Sequence, residues 1–377
     1  MDIEARNLDL DASETRRFSP SLPQASEAIK ADPLLPKRRN HFSTAIFCAL
    51  TLEANAVEAA FDHHLDAQTF GKAQGDANAY STGMIGRHAV VLVWMAGMGK
   101  WQAASSASAC ALSFPEIKLA LAVGICGGVP FVKHDKEMLF GDAAISGDGL
   151  VHYDFGRQFP GHQFVRKDSI LDIPGKPKAE ISAFLSKLRG HRANRHLHDS
   201  MWTHLLKLQE DLGEPSTHPG AKEYKLFEPS YCHMHQVPGS CEVCGDTSQT
   251  GSSVCEAALT STCEEVHCDS RNLMSRKRLV HPRPMVHFGL IASGDRVMKS
   301  GEDRDIIAKS ENIIAFEMEG IGVWDQFPCC LVINGICDYA DSHKSKRWQG
   351  YAAATAAACT KALLEQWMGS GSRSGQD

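Results

Sequence analysis

No apolar run in the 377 residues approaches the ~20 that a bilayer-spanning helix needs, which excludes a membrane protein of the helical kind. Positive charge is not in excess either. Lys and Arg number 39 against 45 Asp and Glu, a net charge of −6, so the basic footprint of a nucleic-acid binder is missing. Arg276-Lys277-Arg278, followed by Arg283, is a local exception and reads as a solvated loop. Residues 1–40 carry Glu4, Asp9, Asp11 and Glu14 but no apolar core, so they are not a secretory signal. With Pro20, Pro23, Pro33 and Pro36 they read as a disordered leader, and residues 370–377 as a flexible tail. A cytoplasmic location is expected. Dinucleotide and triphosphate loops are also absent: neither Gly97-Met98-Gly99-Lys100 nor Gly124-Ile125-Cys126-Gly127-Gly128 has G-x-G-x-x-G spacing, and there is no G-x-x-x-x-G-K-[ST]. Ser293 lacks the preceding glycine of a G-x-S-x-G nucleophile turn. No internal repeat is visible.

What is present is an ordinary globular composition, 43% hydrophobic and 22% charged, on a chain long enough for one large domain. Short apolar runs at 44–50, 89–95, 119–123, 140–145, 286–292 and 330–333 read as strands. Helical text alternates with them at 52–61, 102–112 and 351–368. Strands that end in glycine turns and alternate with helices predict an α/β fold, a central mixed sheet flanked by helices over residues 41–369. The character changes between about 170 and 284, where two helical pieces (179–188 and 199–212) give way to a Gly/Ser/Thr/Cys tract. This is expected as an insertion in one domain, since strands resume after it.

Cysteines are plentiful, thirteen in all. Seven lie in apolar text and read as small buried hydrophobes. Cys232, Cys241, Cys244, Cys255, Cys263 and Cys268 crowd into the polar tract with His233, His235 and His267. Cys241-x-x-Cys244 has the spacing of half a zinc set, but no second tight pair completes it. Zinc and a reduced polar loop both remain as readings, and the metal-free loop is the expectation.

Chemistry concentrates near the end of the chain. Phe316-Glu317-Met318-Glu319-Gly320 brackets a methionine with carboxylates, and Gly335-Ile336-Cys337-Asp338-Tyr339-Ala340-Asp341 follows a buried strand. Acidic groups at the carboxyl end of such a strand sit where open α/β sheets bind ligands. They suit a hydroxyl-rich ligand with basic nitrogens better than a phosphate.

With Ala49-Leu50-Thr51-Leu52-Glu53, Ala96-Gly97-Met98-Gly99-Lys100, Val123-Gly124-Ile125-Cys126-Gly127-Gly128 and Ile291-Ala292-Ser293-Gly294-Asp295, these blocks run in an order that resembles the nucleoside phosphorylase/nucleosidase superfamily. The nearest likeness is to the purine/uridine-phosphorylase-like domains of fungi found at the front of NLR-type receptors, and it covers roughly residues 42–368. No receptor module follows here, so a free-standing domain is expected. The resemblance implies cleavage of an N-glycosidic bond without metal or organic cofactor, on a small-molecule purine nucleoside, by a homo-oligomer. It implies that Asp338 protonates the leaving purine, that Glu319 holds the ribose hydroxyls with Met318 on the sugar face, and that Glu53 activates water. Glu317, Gly124, Ile125, Cys126, Gly127, Gly97, Val297 and Met298 would line the site, with Tyr153, Asp154 and Phe155 from the run that begins at His152. Family phosphorylases flank the strand-end glycine with an arginine and a serine. Here Ala122-Val123 and Ile125 stand there, without charge or hydroxyl, which favours water over phosphate as nucleophile. A phosphorylase using Lys100, Arg296 or a neighbouring subunit's arginine, and a silent nucleoside sensor, are the alternatives. Val297 stands where related nucleosidases have a stacking aromatic, and Cys337 where a serine usually precedes the aspartate. Phe155 or Trp348 is the candidate for stacking. Adenosine is the expected substrate, ahead of inosine and guanosine.

Overall fold

The computed structural model describes residues 35–132, 136–162, 164–167, 178–245, 254–276 and 283–369. The leader up to residue 34 and the tail at 370–377 lie outside the described residues. The strands are β1 (Thr44–Cys48), β2 (His63–Leu65), β3 (Ala79–Ile85), β4 (His88–Trp94), β5 (Leu119–Gly128), the short pair β6 (Phe131–Val132) and β7 (Lys136–Glu137), β8 (Ala143–His152), the hairpin β9 (Gly156–Gln158) and β10 (Phe164–Arg166), β11 (Val286–Ser293), β12 (Ile313–Glu317) and β13 (Cys330–Asp338). The helices are α1 (Thr51–Ala59), α2 (Ala67–Phe70), α3 (Lys100–Ser113), α4 (Ala179–Arg189), α5 (His191–Leu212), α6 (Glu242–Gly245), α7 (Glu256–Thr260), α8 (Gly301–Glu311), α9 (Gly320–Gln326) and α10 (Gln349–Gln366).

Nine strands form one mixed sheet in the order β12-β11-β8-β13-β5-β1-β4-β3-β2. Strands β1, β12 and β13 are buried along their whole length, as continuous apolar text in a helix-covered sheet requires. The end strand β12 also pairs antiparallel with the far end of β5, Ala315 opposite Gly128 and Phe316 opposite Gly127. Strands β5, β13, β8, β11 and β12 therefore close into a ring. That closure brings the ends of β5, β12 and β13 together, with Asp338 in register with Gly127.

Helix α10 is buried along most of its length. Alanine gives it high helix propensity and a thin profile, so it lies against β13 almost backbone to backbone. A Cβ on Gly335 would meet the Ala352 carbonyl oxygen at 2.0 Å, which is why glycine stands in mid-strand. Helix α5 packs on α10 through Leu197, Met201, Leu205 and Leu208, a stripe at helical spacing. Burying these four contributes roughly 6–12 kcal/mol before entropy. The expected insertion is thus of two kinds: α4 and α5 belong to the helical layer over the sheet, and the cysteine tract follows them.

Boundaries moved where a turn intervened. The strand expected at 140–145 starts at Ala143, because Gly141 adopts φ +83° and the Asp142 carboxylate accepts from the Leu139 N–H at 3.0 Å. No helix of the described residues is long and apolar enough to cross a membrane.

Candidate active site

Three strand ends supply the carboxylates. After β1 the chain turns into α1, and Glu53 occupies the third helical position, where a carboxylate can reach back to the helix start. Its Oε2 accepts from the N–H groups of Leu50 (2.9 Å) and Ala49 (3.1 Å). Its Oε1 reaches across the sheet and accepts from the Ile125 N–H of β5 at 2.9 Å. The approach is so close that a Cβ on Gly124 would stand 2.4 Å from Oε1. Glu53 is buried, and burial pushes its carboxyl up to about 7 despite the three donors, with the Glu317 charge adding to the rise.

At the end of β12, Glu317 turns inward. Its Oε2 accepts from the N–H groups of Glu319 and Gly320, both at 2.8 Å, which fixes the start of α9. Burial raises it above the ordinary carboxyl value. Glu319 is partly buried and accepts from Gly99 N–H (3.0 Å) and from its neighbour Met318 N–H (3.3 Å). Gly99 has φ +100°, a conformation that presents its N–H without steric cost. Burial, then the charges of Glu317 and Glu53, push Glu319 up to about 8. Three neighbouring carboxyls, each raised by burial, form a site suited to a ligand that gains positive charge.

Strand β13 ends in Asp338. Oδ1 accepts from Ala340 N–H (2.8 Å) and faces Lys344 Nζ (3.3 Å), while the Cys337 thiol donates to Oδ2 at 3.2 Å. The same thiol also lies 3.5 Å from the Cys126 carbonyl oxygen. A Cβ on Gly127 would lie 2.8 Å from Oδ1, so this glycine too is set by a close approach. The following loop is pinned by the buried Arg304, whose Nη1 donates to the Tyr339 carbonyl at 2.9 Å.

These groups surround a cavity of about 300 Å³. Of the residues expected at the site, Glu53, Ile125, Cys126, Gly127, Val297, Met298, Glu317, Met318, Glu319 and Asp338 line it, and Gly124 stands behind Glu53. Gly97, Tyr153, Asp154 and Phe155 are not brought to its wall. Asp154 instead binds Lys100 (3.3 Å), His152 (3.2 Å) and the Asp295 N–H (2.7 Å). Burial opposes its charge, yet those partners hold it well below the ordinary carboxylate range. Tyr153 is buried and its hydroxyl donates to the Arg296 carbonyl. Phe155 stacks on His152.

Trp348 does not serve as a stacking platform. It is 1% exposed and locked among Phe140, Tyr224 and Tyr351. Lys344, Lys346, Lys299 and Leu259 also line the cavity and were not anticipated. Lys344 lies six residues after Asp338, within reach of one loop, and that separation was its available signal. Leu259 sits in the cysteine tract and gave none.

Comparison with known proteins supports the fold. No family model matches the chain. Among solved structures, the 5′-methylthioadenosine/S-adenosylhomocysteine nucleosidase of Helicobacter pylori, in complex with butyl-thio-DADMe-Immucillin-A, is 15% identical with a TM-score of 0.50. That match covers 86% of this chain and 99% of that one. Futalosine hydrolase of Helicobacter pylori strain 26695 is likewise 15% identical, with a TM-score of 0.49 over 87% of this chain and 99% of that one. In sequence, a nucleotide-binding leucine-rich repeat (NLR)-like protein of Hyaloscypha variabilis is 29% identical over 342 residues, 89% of this chain. The chain spans 30% of that relative's length. The chain therefore has the nucleoside phosphorylase/nucleosidase fold, and its sequence likeness is to the NLR-associated type.

Proposed function

We propose that the chain is a purine nucleosidase, an N-glycosyl hydrolase that converts a purine ribonucleoside and water to free base and ribose. The observation that carries this reading is the Glu53 carboxylate seated on three backbone N–H groups, of Ala49, Leu50 and Ile125. Donors of that kind at a strand end are what a phosphate would need. Here an internal anion takes them and would repel a second one. Lys100, a candidate phosphate ligand, is engaged by His152, Asp154 and Asp295.

In this reading Glu53 takes a proton from water while the water oxygen bonds to C1′. The C1′–N9 bond breaks, its electron pair passes to the base, and N7 takes a proton from the protonated form of Asp338, in which the Lys344 ion pair is given up. Glu319 accepts from the ribose 2′ and 3′ hydroxyls, with Met318 against the sugar. A carboxyl held at about 7 is matched to general-base work near neutrality. Positive charge developing on the ribosyl group favours the ionised form of Glu319 as the bond breaks. Adenosine is the first substrate, followed by inosine and guanosine. The chemistry calls for no metal or organic cofactor. Thirteen cysteines without a disulfide suit the reducing cytoplasm. A second copy of the chain would close the cavity mouth, where Met98 and Val297 are exposed.

Arg296, Lys299, Lys344 and Lys346 on the cavity wall are the observation on the side of a phosphorylase. The deciding experiment is purine release from adenosine, inosine and guanosine in phosphate-free buffer, repeated with phosphate. Ribose and free base without phosphate are expected. Turnover only with phosphate, giving ribose 1-phosphate, overturns the hydrolytic assignment. Binding without turnover would make the chain a sensor.

A further inference from the structure

The cysteine tract, expected as a metal-free loop, gathers its polarisable side chains into two clusters. In the first, the ligand atoms of His235, Cys241, Cys244 and Cys255 all lie within 4.8 Å of one another. His235 Nδ1 is 3.5 Å from Cys244 Sγ and 3.5 Å from Cys255 Sγ. A single ring nitrogen has one in-plane site, so it can hydrogen-bond one thiol and not two at the same separation. Tetrahedral zinc with Zn–S ≈ 2.3 Å and Zn–N ≈ 2.0–2.1 Å places sulfur and nitrogen about 3.6 Å apart. Two backbone N–H groups also point at the sulfurs, Cys244 N at Cys241 Sγ (3.5 Å) and Ala258 N at Cys255 Sγ (3.4 Å). Such donors offset thiolate charge.

The second cluster repeats the pattern with a residue from the core. His233 Nδ1 stands 3.4 Å from Cys268 Sγ and 3.8 Å from Cys263 Sγ. Its other nitrogen, Nε2, faces the Ser261 carbonyl at 3.0 Å, the outer contact that metal-bound histidines use to fix their tautomer. His343 completes the group, its ligand atom within 4.8 Å of those of His233 and Cys268. The His343 side chain is only 5% exposed, and neither ring nitrogen meets a hydrogen-bond partner. Asp341 Oδ1 stands 3.9 Å from Nδ1, beyond hydrogen-bond reach. A buried imidazole held between Phe227 and His233 with both nitrogens unmet requires an explanation, and a metal supplies it.

We propose that this segment is a zinc module holding two structural ions, an inner one on His235, Cys241, Cys244 and Cys255, and an outer one on His233, Cys263, Cys268 and His343. The inner site is nested in sequence within the outer one. The inner site offers four mutually close ligands, and the outer offers three, with Cys263, 3.8 Å from His233 Nδ1, as the fourth that a closed structural site requires. None of the eight residues lines the nucleoside cavity. The outer ion would nonetheless reach the cavity indirectly. His343 precedes Lys344, which faces Asp338, and Leu259 on α7 lies between ligands of the two ions. The module would therefore pin both the lysine and one wall of the cavity. The proposal stands whatever nucleoside the cavity takes.

The test is metal analysis of the full chain, produced with zinc in the medium and freed of loose metal, together with the absorption spectrum of the cobalt-exchanged protein. About two zinc ions per chain and a tetrahedral thiolate–cobalt spectrum are expected. Cys244→Ser and His343→Asn should each lower the content to about one. If the variants do not fold, the metal count and cobalt spectrum of the unmodified chain decide alone. Folded protein that retains almost no zinc when it is supplied, or whose tract cysteines are paired as disulfides, overturns the proposal. One ion per chain that survives in His343→Asn and is lost in Cys244→Ser overturns the outer site and with it the link to Lys344, and the converse pattern overturns the inner site.

Discussion

Replacing Glu53 by glutamine separates the roles of that side chain because the two residues share a shape and differ in what they can accept. Glu53 accepts with both oxygens, Oε2 from Ala49 and Leu50 and Oε1 from Ile125. A glutamine has one carbonyl oxygen. If it faces Ala49 and Leu50, its NH₂ confronts the Ile125 N–H, donor against donor, in a buried place. That mismatch costs roughly 1–3 kcal/mol of stability, and protonated Glu53 shares it, so it separates the two proteins little below about pH 7. Loss of the general base should lower kcat by about 10²–10⁴.

Acidity gives a second readout. Wild-type Glu53 is held at about 7 against an ordinary 4.5, so the folded chain binds this proton more tightly than the unfolded one. The stabilisation is complete below about 4.5 and is lost as pH rises through about 7, amounting to about 3 kcal/mol. Glu53→Gln cannot lose what it never titrates. The variant should be close to wild type in stability at pH 5, where Glu53 is itself a neutral carboxyl, and more stable than wild type at pH 8. Urea denaturation at the two pH values, with purine release at pH 7 in phosphate-free buffer, measures both. A variant that keeps more than about a third of wild-type kcat refutes the water-activating role. A stability gap that does not change with pH refutes the assigned acidity.

The wild-type rate should itself rise with pH through about 7 as Glu53 ionises, and a flat profile from pH 5 to 8 in kcat/KM would place the base elsewhere. Asp338→Asn should lower kcat by about 10²–10⁴ with little change in KM, and a change confined to KM would reduce Asp338 to a binding group. Glu319→Ala should cost roughly 10- to 150-fold in kcat/KM on adenosine and less on 2′-deoxyadenosine. Equal losses on the two substrates would remove Glu319 from the 2′ hydroxyl. Gly335→Ala places a Cβ 2.0 Å from the Ala352 carbonyl and should destabilise the chain by roughly 1–3 kcal/mol or more. An unchanged denaturation midpoint would show that α10 can move off the sheet.

The fold was legible where one physical demand dominated. Strands such as β1 and β4 are apolar after a single polar first residue, and the runs stand out from polar turns. The five-residue β12 escaped, since Ile313-Ile314-Ala315-Phe316-Glu317 is too short to separate from a helix start by periodicity. Its pairing with β5 joins residues about half the chain apart and leaves no local signature. Asp338 could be singled out because it closes an apolar run, and Glu53 and Glu319 because they stand in blocks that resemble the superfamily. Tyr153, Asp154 and Phe155 follow one too, yet β9, β10 and Lys100 hold them away from the cavity wall. The metal clusters were half legible. Cys241-x-x-Cys244 gave the spacing, but Cys263 and Cys268 are four residues apart in between, and His343 belongs to another part of the chain.

The pairing of β12 with β5 has a bearing on how the chain meets others. An open sheet ends in rows of unpaired N–H and C=O groups that invite a neighbour's strand. Here one end of the sheet is consumed by its own ring, and the other is β2, three residues long and beginning with the exposed His63 and His64. Among the described residues, little backbone is left on this sheet for a foreign strand to extend. Copies or partners that associate with it must read its side chains, and the sheet's shape itself guards the chain against fibre growth.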